Sequence, residues 1–486
     1  MLGAAWKVSE SEVATTVVEP RLLSSHDELF QWDQKGNDID SEAAGDQLGN
    51  SVSLSNDGTV VAIGAPLNDG NGTASGHVRV YAFESSSWVQ RGADIDGEDA
   101  IDFSGFSVSL SSDGNVVAIG ARLNDGNGTK SGHVRVYAFE SSSWVQRGAD
   151  IDGEAAGDAS GNSVSLSNDG NVVAIGATSG NDENGASSGH VRVYSFESSS
   201  WVQRGADIDG EADADQSGIS VSLSSDGNVV AIGALLNDGN GTDSGHVRVY
   251  AFESSSWVQR GADIDGEAAI DFSGFSVSLS SDGNVVAIGA RLNDGNGTNS
   301  GHVRVYAFES SSWVQRGADI DGEAAGDSSG DSVSLSNDGN VVAIGASGND
   351  GNGTNSGHVR VYAFESSSWV QRGADIDGEA AGDASGNSVS LSNDGNVVAI
   401  GAPLNDENGY YSGHVRVYSF PKSTKGGKGL KAKSTKSRKD GKGPKSKKRR
   451  NVLSLAKNDK GVEAKEGGSS GGGTLVEFVI LEEGMN

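Results

Sequence analysis

The chain has no cysteine, five prolines and two methionines among its 486 residues. Without cysteine there can be no disulfide, thiolate zinc site or cysteine nucleophile. Long apolar runs are also missing, and nothing approaches the roughly 18 residues of a membrane-spanning helix. The opening MLGAAWKVSESEVATTVVEPRLLSS lacks a continuous apolar segment, so no secretory signal is visible. No Gly-x-Ser-x-Gly elbow, phosphate loop or His-Glu-x-x-His is expected in this chain. Catalysis needs a unique constellation, whereas nearly every polar residue here recurs in seven copies, so the chain is not expected to be an enzyme.

What the chain has is a repeat. Tryptophan recurs at Trp32, Trp88, Trp144, Trp201, Trp257, Trp313 and Trp369, at steps of 56 residues and once of 57. Between these points the same phrases return: WVQRGADIDGE, SVSLS-DGNVVAIGA, and SGHVRVY-FESSS. A fixed period of this length marks an array or a propeller. One unit shows four extended runs: Trp88–Ile95, Phe106–Ser111, Asn115–Ala121 and His133–Phe139. The third is continuously apolar, as a strand buried on both faces should be. Asp113-Gly114 lies between the second and third runs, and Asp-Gly favours the tight turn of a hairpin.

The fold expected is all-β: a seven-bladed β-propeller of four-stranded antiparallel blades over residues 28–420, with repeats starting near 32, 88, 144, 201, 257, 313 and 369. The last three strands lack a following tryptophan strand, and the first tryptophan strand lacks a preceding trio. The Trp32 strand should therefore complete the seventh blade. Serines alternate with Val and Leu along the second run, and a small face there lets neighbouring blades approach closely. Residues 1–27 form a poorly ordered N-terminal extension in this reading. Residues 421–486 form a Lys/Ser/Gly-rich disordered tail with a short apolar end, Thr474–Leu481.

The formal net charge is −31, unevenly spread. Residues 421–450 hold 14 Lys and Arg against one Asp, so the remainder carries −44. An acidic body favours cations and basic partners and repels nucleic acid. The tail could contact polyanions, or serve as a plain linker. Strand order sends Asp94, Asp96, Glu98, Asp99, Asp102 and Asp125 to one face and only Asp113 and Glu140 to the other.

Two readings stay open for Asp94, Asp96, Glu98, Asp102 and their equivalents: a weak calcium loop, with Gly97 supplying the turn, or a solvated acidic loop. The recurring His77, His133, His190, His246, His302, His358 and His414 read as metal ligands or as strand caps. Asn71, Asn127, Asn240, Asn296 and Asn352 open Asn-Gly-Thr triplets, which are glycosylation acceptors if the chain is secreted. Arg91-Gly92-Ala93-Asp94 reads as strand and turn. Units two and five alone carry Phe103, Phe106 and Arg122, and Phe272, Phe275 and Arg291. Aromatics beside Arg are common binding anchors, and Phe also fills gaps near an axis.

Three motifs suggest a family. Gly105-Phe106-Ser107-Val108 stands near Phe-Gly-x-Ser-Val. Ile63-Gly64-Ala65-Pro66 and Ile400-Gly401-Ala402-Pro403 match Gly-Ala-Pro, and Gly132-His133-Val134-Arg135-Val136-Tyr137 matches Gly-x-Val-x-Val-Tyr. On these residues the units resemble FG-GAP repeats, the blades of the integrin α-subunit propeller. WD40 blades are a weaker match, since the Trp-Asp pair is missing and the period is longer. The resemblance implies a propeller used for adhesion or ligand binding at the cell surface or outside the cell. Only units one and seven keep the Pro of Gly-Ala-Pro, and the family's calcium loop is shortened to Ser-Asp-Gly or Asn-Asp-Gly. The function expected is a non-enzymatic binding or adhesion module, a monomer, that presents an acidic face to a protein or cell surface with calcium as a modulator. The alternatives are a glycan-binding propeller and a hydrolase using acidic-face carboxylates.

Overall fold

The computed structural model describes residues 31–179 and 184–421. The expected N-terminal extension and all of the basic tail beyond Pro421 lie outside them.

The described residues form seven antiparallel sheets arranged as the blades of a propeller. In the second blade the inner strand is Ser104–Leu110, followed outwards by Val116–Ala121, His133–Glu140 and Ser143–Gln146. Val116–Ala121 is buried along its whole length, in keeping with its apolar run. The turn before it is fixed by side chains. Asp113 accepts from Ser111 Oγ (2.8 Å) and Asn115 N (3.0 Å), and Ser111 Oγ accepts from Val116 N (2.9 Å). Gly114 supplies the left-handed φ of +68° that this turn requires.

The outermost strand departs from expectation. WVQRGADI is broken into Ser143–Gln146 and Ile151–Asp152, both paired with His133–Glu140. The break is an inter-blade clamp. Arg91 leaves its own blade to donate to Gly114 O (2.8 Å) and to Asn115, and its guanidinium lies 4.1 Å from the Phe139 ring centre. Trp144 answers by donating its indole N–H to Arg91 O (2.7 Å). The Arg-Gly-Ala-Asp segment thus belongs to the scaffold.

The ring is closed by the N-terminal segment. Asp33 and Gln34 pair with Ser419 and Tyr418, and Ile39 and Asp40 pair with Val415 and His414. Trp32, just ahead of this strand, is 6% exposed and packs on Phe420 at 5.1 Å. Lys35 takes the place of the clamp arginine, with its ammonium 4.6 Å from the Phe83 ring centre.

The core sits between blades. Val116, Ala118, Val134, Val136 and Ile151 of the second blade pack on Val164, Leu166, Val173, Ile175 and Tyr194 of the third. The same pattern crosses the closing seam, where Ile39 and Val415 meet Leu48, Val52 and Ile63.

The small-residue face of the inner strands has a second use beyond close packing. Ser53 Oγ accepts from Leu110 N (2.9 Å), and at the closing seam Ser390 Oγ accepts in the same way from Leu54 N of the first blade. At the hairpins a backbone circle runs Asn56 N to Ser112 O, Ser112 N to Asn168 O, and onward until Asn393 N donates to Asn56 O (2.9 Å).

Candidate functional site

One face of the ring is built from two loops per blade boundary. Residues 67–76 lie against residues 97–104 of the next unit: Asn71 Nδ2 donates to Gly97 O and Glu98 O (2.9 Å each), and Ile101 N donates to Thr73 O (2.8 Å). The amides of Asn127, Asn240, Asn296 and Asn352 make the same bonds to the loops beside them. These sequon side chains therefore hold the face together. A glycan on Asn71 Nδ2 would replace one of its two donated hydrogen bonds.

The structure divides the carboxylates Asp94, Asp96, Glu98 and Asp102 among three settings. Asp94 is gripped by Arg79, with Nη2 2.9 Å from Oδ2 and Nε 3.1 Å from Oδ1, and the Arg79 guanidinium holds its carboxyl below the usual range against the upward pull of burial. Asp94, Asp96 and His77 offer ligand atoms within 4.8 Å of one another. Glu98 turns to the next blade, beside His133 and Asp150, with Arg135 Nη1 at 3.3 Å. Asp102 is 2% exposed and accepts from Asp99 N (2.9 Å) and Asn124 Nδ2 (3.0 Å). Its charge is met by the loop itself.

The recurring histidines are buried beneath this face, at the start of the third strand of each blade. Each lies two residues before an arginine. Burial, and then the neighbouring arginine, push His246 and His302 down to about 4. These imidazoles are neutral in the folded protein, whereas in the unfolded chain they bind a proton near the ordinary 6.5. The unfolded state therefore takes up more protons between pH 6.5 and 4, and this contribution to stability is present above pH 6.5 and lost as pH falls through that window. Glu211 and Glu267 beside them are raised by burial, which acts in the opposite sense in a window that starts at pH 4.5 and extends upward. Melting temperature should thus fall between pH 7.5 and 5, and His246→Gln with His302→Gln should flatten the fall. An unchanged slope in that double variant would show that these groups are not responsible.

Near the axis the sevenfold regularity breaks. The residue ahead of each Ser-Val-Ser-Leu is Asn50, Phe106, Asn162, Ile219, Phe275, Asp331 or Asn387. Asn50 Nδ2 donates to Phe106 O (3.1 Å) and Asn387 Nδ2 to Asn50 O (3.3 Å), so these positions adjoin around the axial opening. Blades two and five stand out. The Arg122 guanidinium covers Phe106 at 3.8 Å and reaches Asn162, and Arg291 covers Phe275 at 4.2 Å and pairs with Asp331 at 3.1 Å. Burial pushes the Asp331 carboxyl up, against the pull of Ser347 and Arg291. Phe103 and Phe272 are half-buried at positive φ, and their carbonyls accept from Phe106 N and Phe275 N.

The structure adds two residues that sequence reasoning missed. Ile101 and Ile270 take φ of +70° and +68°, and are 55% and 54% exposed. Four other units place glycine there: Gly45, Gly157, Gly326 and Gly382. A β-branched residue in this region is strained by about 1–2 kcal/mol, and such strain clusters at functional positions. The signal lay in the sequence as Ile in two units against Gly in four. Gly326-Asp327-Ser328-Ser329-Gly330 also spells Gly-x-Ser-x-Gly. It runs from a loop into the strand Ser329–Leu335, whereas a nucleophile elbow needs a strand-to-helix turn.

The FG-GAP repeat family matches residues 40–82 and 376–418. These stretches contain Pro66 and Pro403, so they lie in the two units that keep Gly-Ala-Pro. Two of the seven units are FG-GAP repeats, and together the seven make a propeller. Its seven blades are similar in fold to a chain of Kuenenia stuttgartiensis hydrazine synthase, with 12% identity, a TM-score of 0.50, and coverage of 79% of this chain and 98% of that one. At that identity the likeness is one of fold. No curated protein matches the FG-GAP chain. An FG-GAP propeller is generally a binding or adhesion module, which agrees with a face built from repeated loops.

Proposed function

We propose that this propeller is a non-enzymatic binding module that engages a protein or cell surface through its acidic loop face, with the axial mouth at blades two and five as the anchor. The observation that carries the reading is the coincidence, in those two blades alone, of an exposed strained isoleucine with an Arg-covered phenylalanine. Exposed apolar side chains and a stacked guanidinium presented by the same blade can supply the desolvated centre of an interface. The surrounding carboxylates supply the rim and favour a basic partner. Calcium would enter through exposed carboxylates of this face such as Asp96, beside which the loop of Asp69 and Gly70 lies, and would order the two loops.

The test is binding of the labelled protein to cultured cells, comparing wild type with the variant Ile101→Gly, Ile270→Gly, Arg122→Ala, Arg291→Ala. Binding should fall at least about tenfold. The two Ile→Gly changes alone should raise stability by up to about 1 kcal/mol each, as the strain is relieved and offset in part by the entropy of glycine. Undiminished binding by the fourfold variant would remove the axial mouth from the account.

A second reading has its own observation. Ala93, Asp94, Ile95, Asp96, Tyr137 and Trp144 line a lateral notch between two blades, repeated beside Trp201 and Trp313. An aromatic wall with carboxylates suits a sugar ring, and a glycan array without hits would dispose of it.

A further inference from the structure

The seam where the N-terminal segment joins the seventh blade holds a cluster found in no other described blade. Asp38, Asp40, Glu407 and His414 each offer a ligand atom, and these atoms all lie within 4.8 Å of one another. His414 is 1% exposed, and neither of its ring nitrogens makes a hydrogen bond. Its Nδ1 is 3.9 Å from Glu379 Oε2, too far to be one. A buried imidazole without a partner has lost its hydration with nothing to compensate for it. Three carboxylates beside it repel one another. Burial raises the Asp40 carboxyl, and Asp38 and Glu407 raise it further. The arginine two residues beyond His414 is engaged elsewhere: Arg416 pairs with Glu379 at 3.4 Å and donates to Asp377 O at 2.7 Å.

Glu407 sets this place apart. Five other units carry glycine at the same position of the loop: Gly70, Gly126, Gly239, Gly295 and Gly351. The first blade, with His77, Asp94 and Asp96, has the same trio without the fourth group, and there Arg79 grips Asp94. The third blade's Glu183 lies outside the described residues.

We propose that Asp38, Asp40, Glu407 and His414 form a site for a divalent transition-metal ion that ties the N-terminal segment to the last blade. One imidazole nitrogen with three carboxylate oxygens is a borderline donor set that suits Zn2+ better than Ca2+, which takes six to eight oxygens. Tetrahedral bonds of about 2.0–2.1 Å put ligand atoms about 3.3 Å apart. The exposed Asp40 and Glu407 side chains are free to rotate inward by that much, while His414 stays fixed by burial. The ion would bridge Asp38 and Asp40, from one end of the ring, with Glu407 and His414, from the other. It would bind only the closed state and so stabilise closure by mass action.

The test is calorimetric titration of the full chain, freed of metal by chelation, with Zn2+, alongside Co2+ read by its visible d–d absorption. Wild type should show tight Zn2+ binding and a melting temperature raised by Zn2+. Glu407→Gly restores the sequence of the five other units, so it should fold, and it should abolish one tight equivalent and change the Co2+ spectrum. Asp40→Asn should weaken the same equivalent at least about tenfold. The proposal is overturned if no tight Zn2+ binds, if Glu407→Gly leaves stoichiometry and spectrum unaltered, if seven equal sites appear, or if Ca2+ displaces Zn2+ at equal concentration.

Discussion

Gly233→Ala is expected to prevent normal assembly of the ring, with a loss of at least about 3 kcal/mol. Gly233 lies at the closest approach of the fourth and fifth blades. A methyl group there would sit 2.0 Å from Gly274 O and 2.5 Å from Ser220 Oγ. The first of these is backbone of the neighbouring blade, and it also accepts from Ser220 Oγ at 2.8 Å. The blades would have to separate, opening the apolar layer formed by Val229, Val247, Val277 and Ile288. Gly157→Ala is the control. That residue has a φ of +93° and nothing within 4 Å of the added carbon, so its cost should be about 1 kcal/mol of backbone strain. Urea unfolding of both variants distinguishes the cases. Similar midpoints for the two would mean that blade contact is looser than described.

Trp32→Ala should be nearly as damaging, at about 3–5 kcal/mol. Among the recurring tryptophans it alone is buried, and the others are half-buried. Its indole donates to Arg372 O at 2.8 Å, and its ring packs on Phe420 and on the apolar layer between the sixth and seventh blades. Trp32→Phe keeps much of the ring and loses the donor, so it should cost roughly 1–2 kcal/mol less than Trp32→Ala. Hydrogen exchange at His414–Ser419 should quicken in both, because Asp33 and Ile39 supply the partners of that strand. Unchanged exchange there would mean that the seventh blade does not depend on the N-terminal segment.

These two variants also show what the sequence alone could reveal. The period, the Asp-Gly hairpins and the orphan tryptophan strand sufficed to infer seven closed blades, because each is local or a matter of counting. The alternation of Ser53 with Val52 and Leu54 was legible as a packing device. Its hydrogen bond to Leu110 in the next blade was not, since nothing within one repeat tells which neighbour a serine meets. The break at Arg91–Asp94 was hidden for the same reason: WVQRGADI is an acceptable strand until Arg91 is drawn to Gly114 and Phe139 of the adjoining blade. Among the candidate site residues, Phe106 and Arg122 were found by comparing units, and the structure shows them stacked. Asp102 looked like an open ligand because composition does not reveal that Asn124 and a backbone amide already occupy it.

The circle of amides and carbonyls that starts and finishes at Asn56 has one more implication. Each link donates to the next unit and accepts from the one before, so the direction is the same all the way round. Linear stacks must devote their outermost repeats to polar surfaces that shield dangling groups. A loop with neither head nor tail leaves none to shield, so every unit can share a single design. That freedom accounts for seven stretches of one chain spelling nearly the same words.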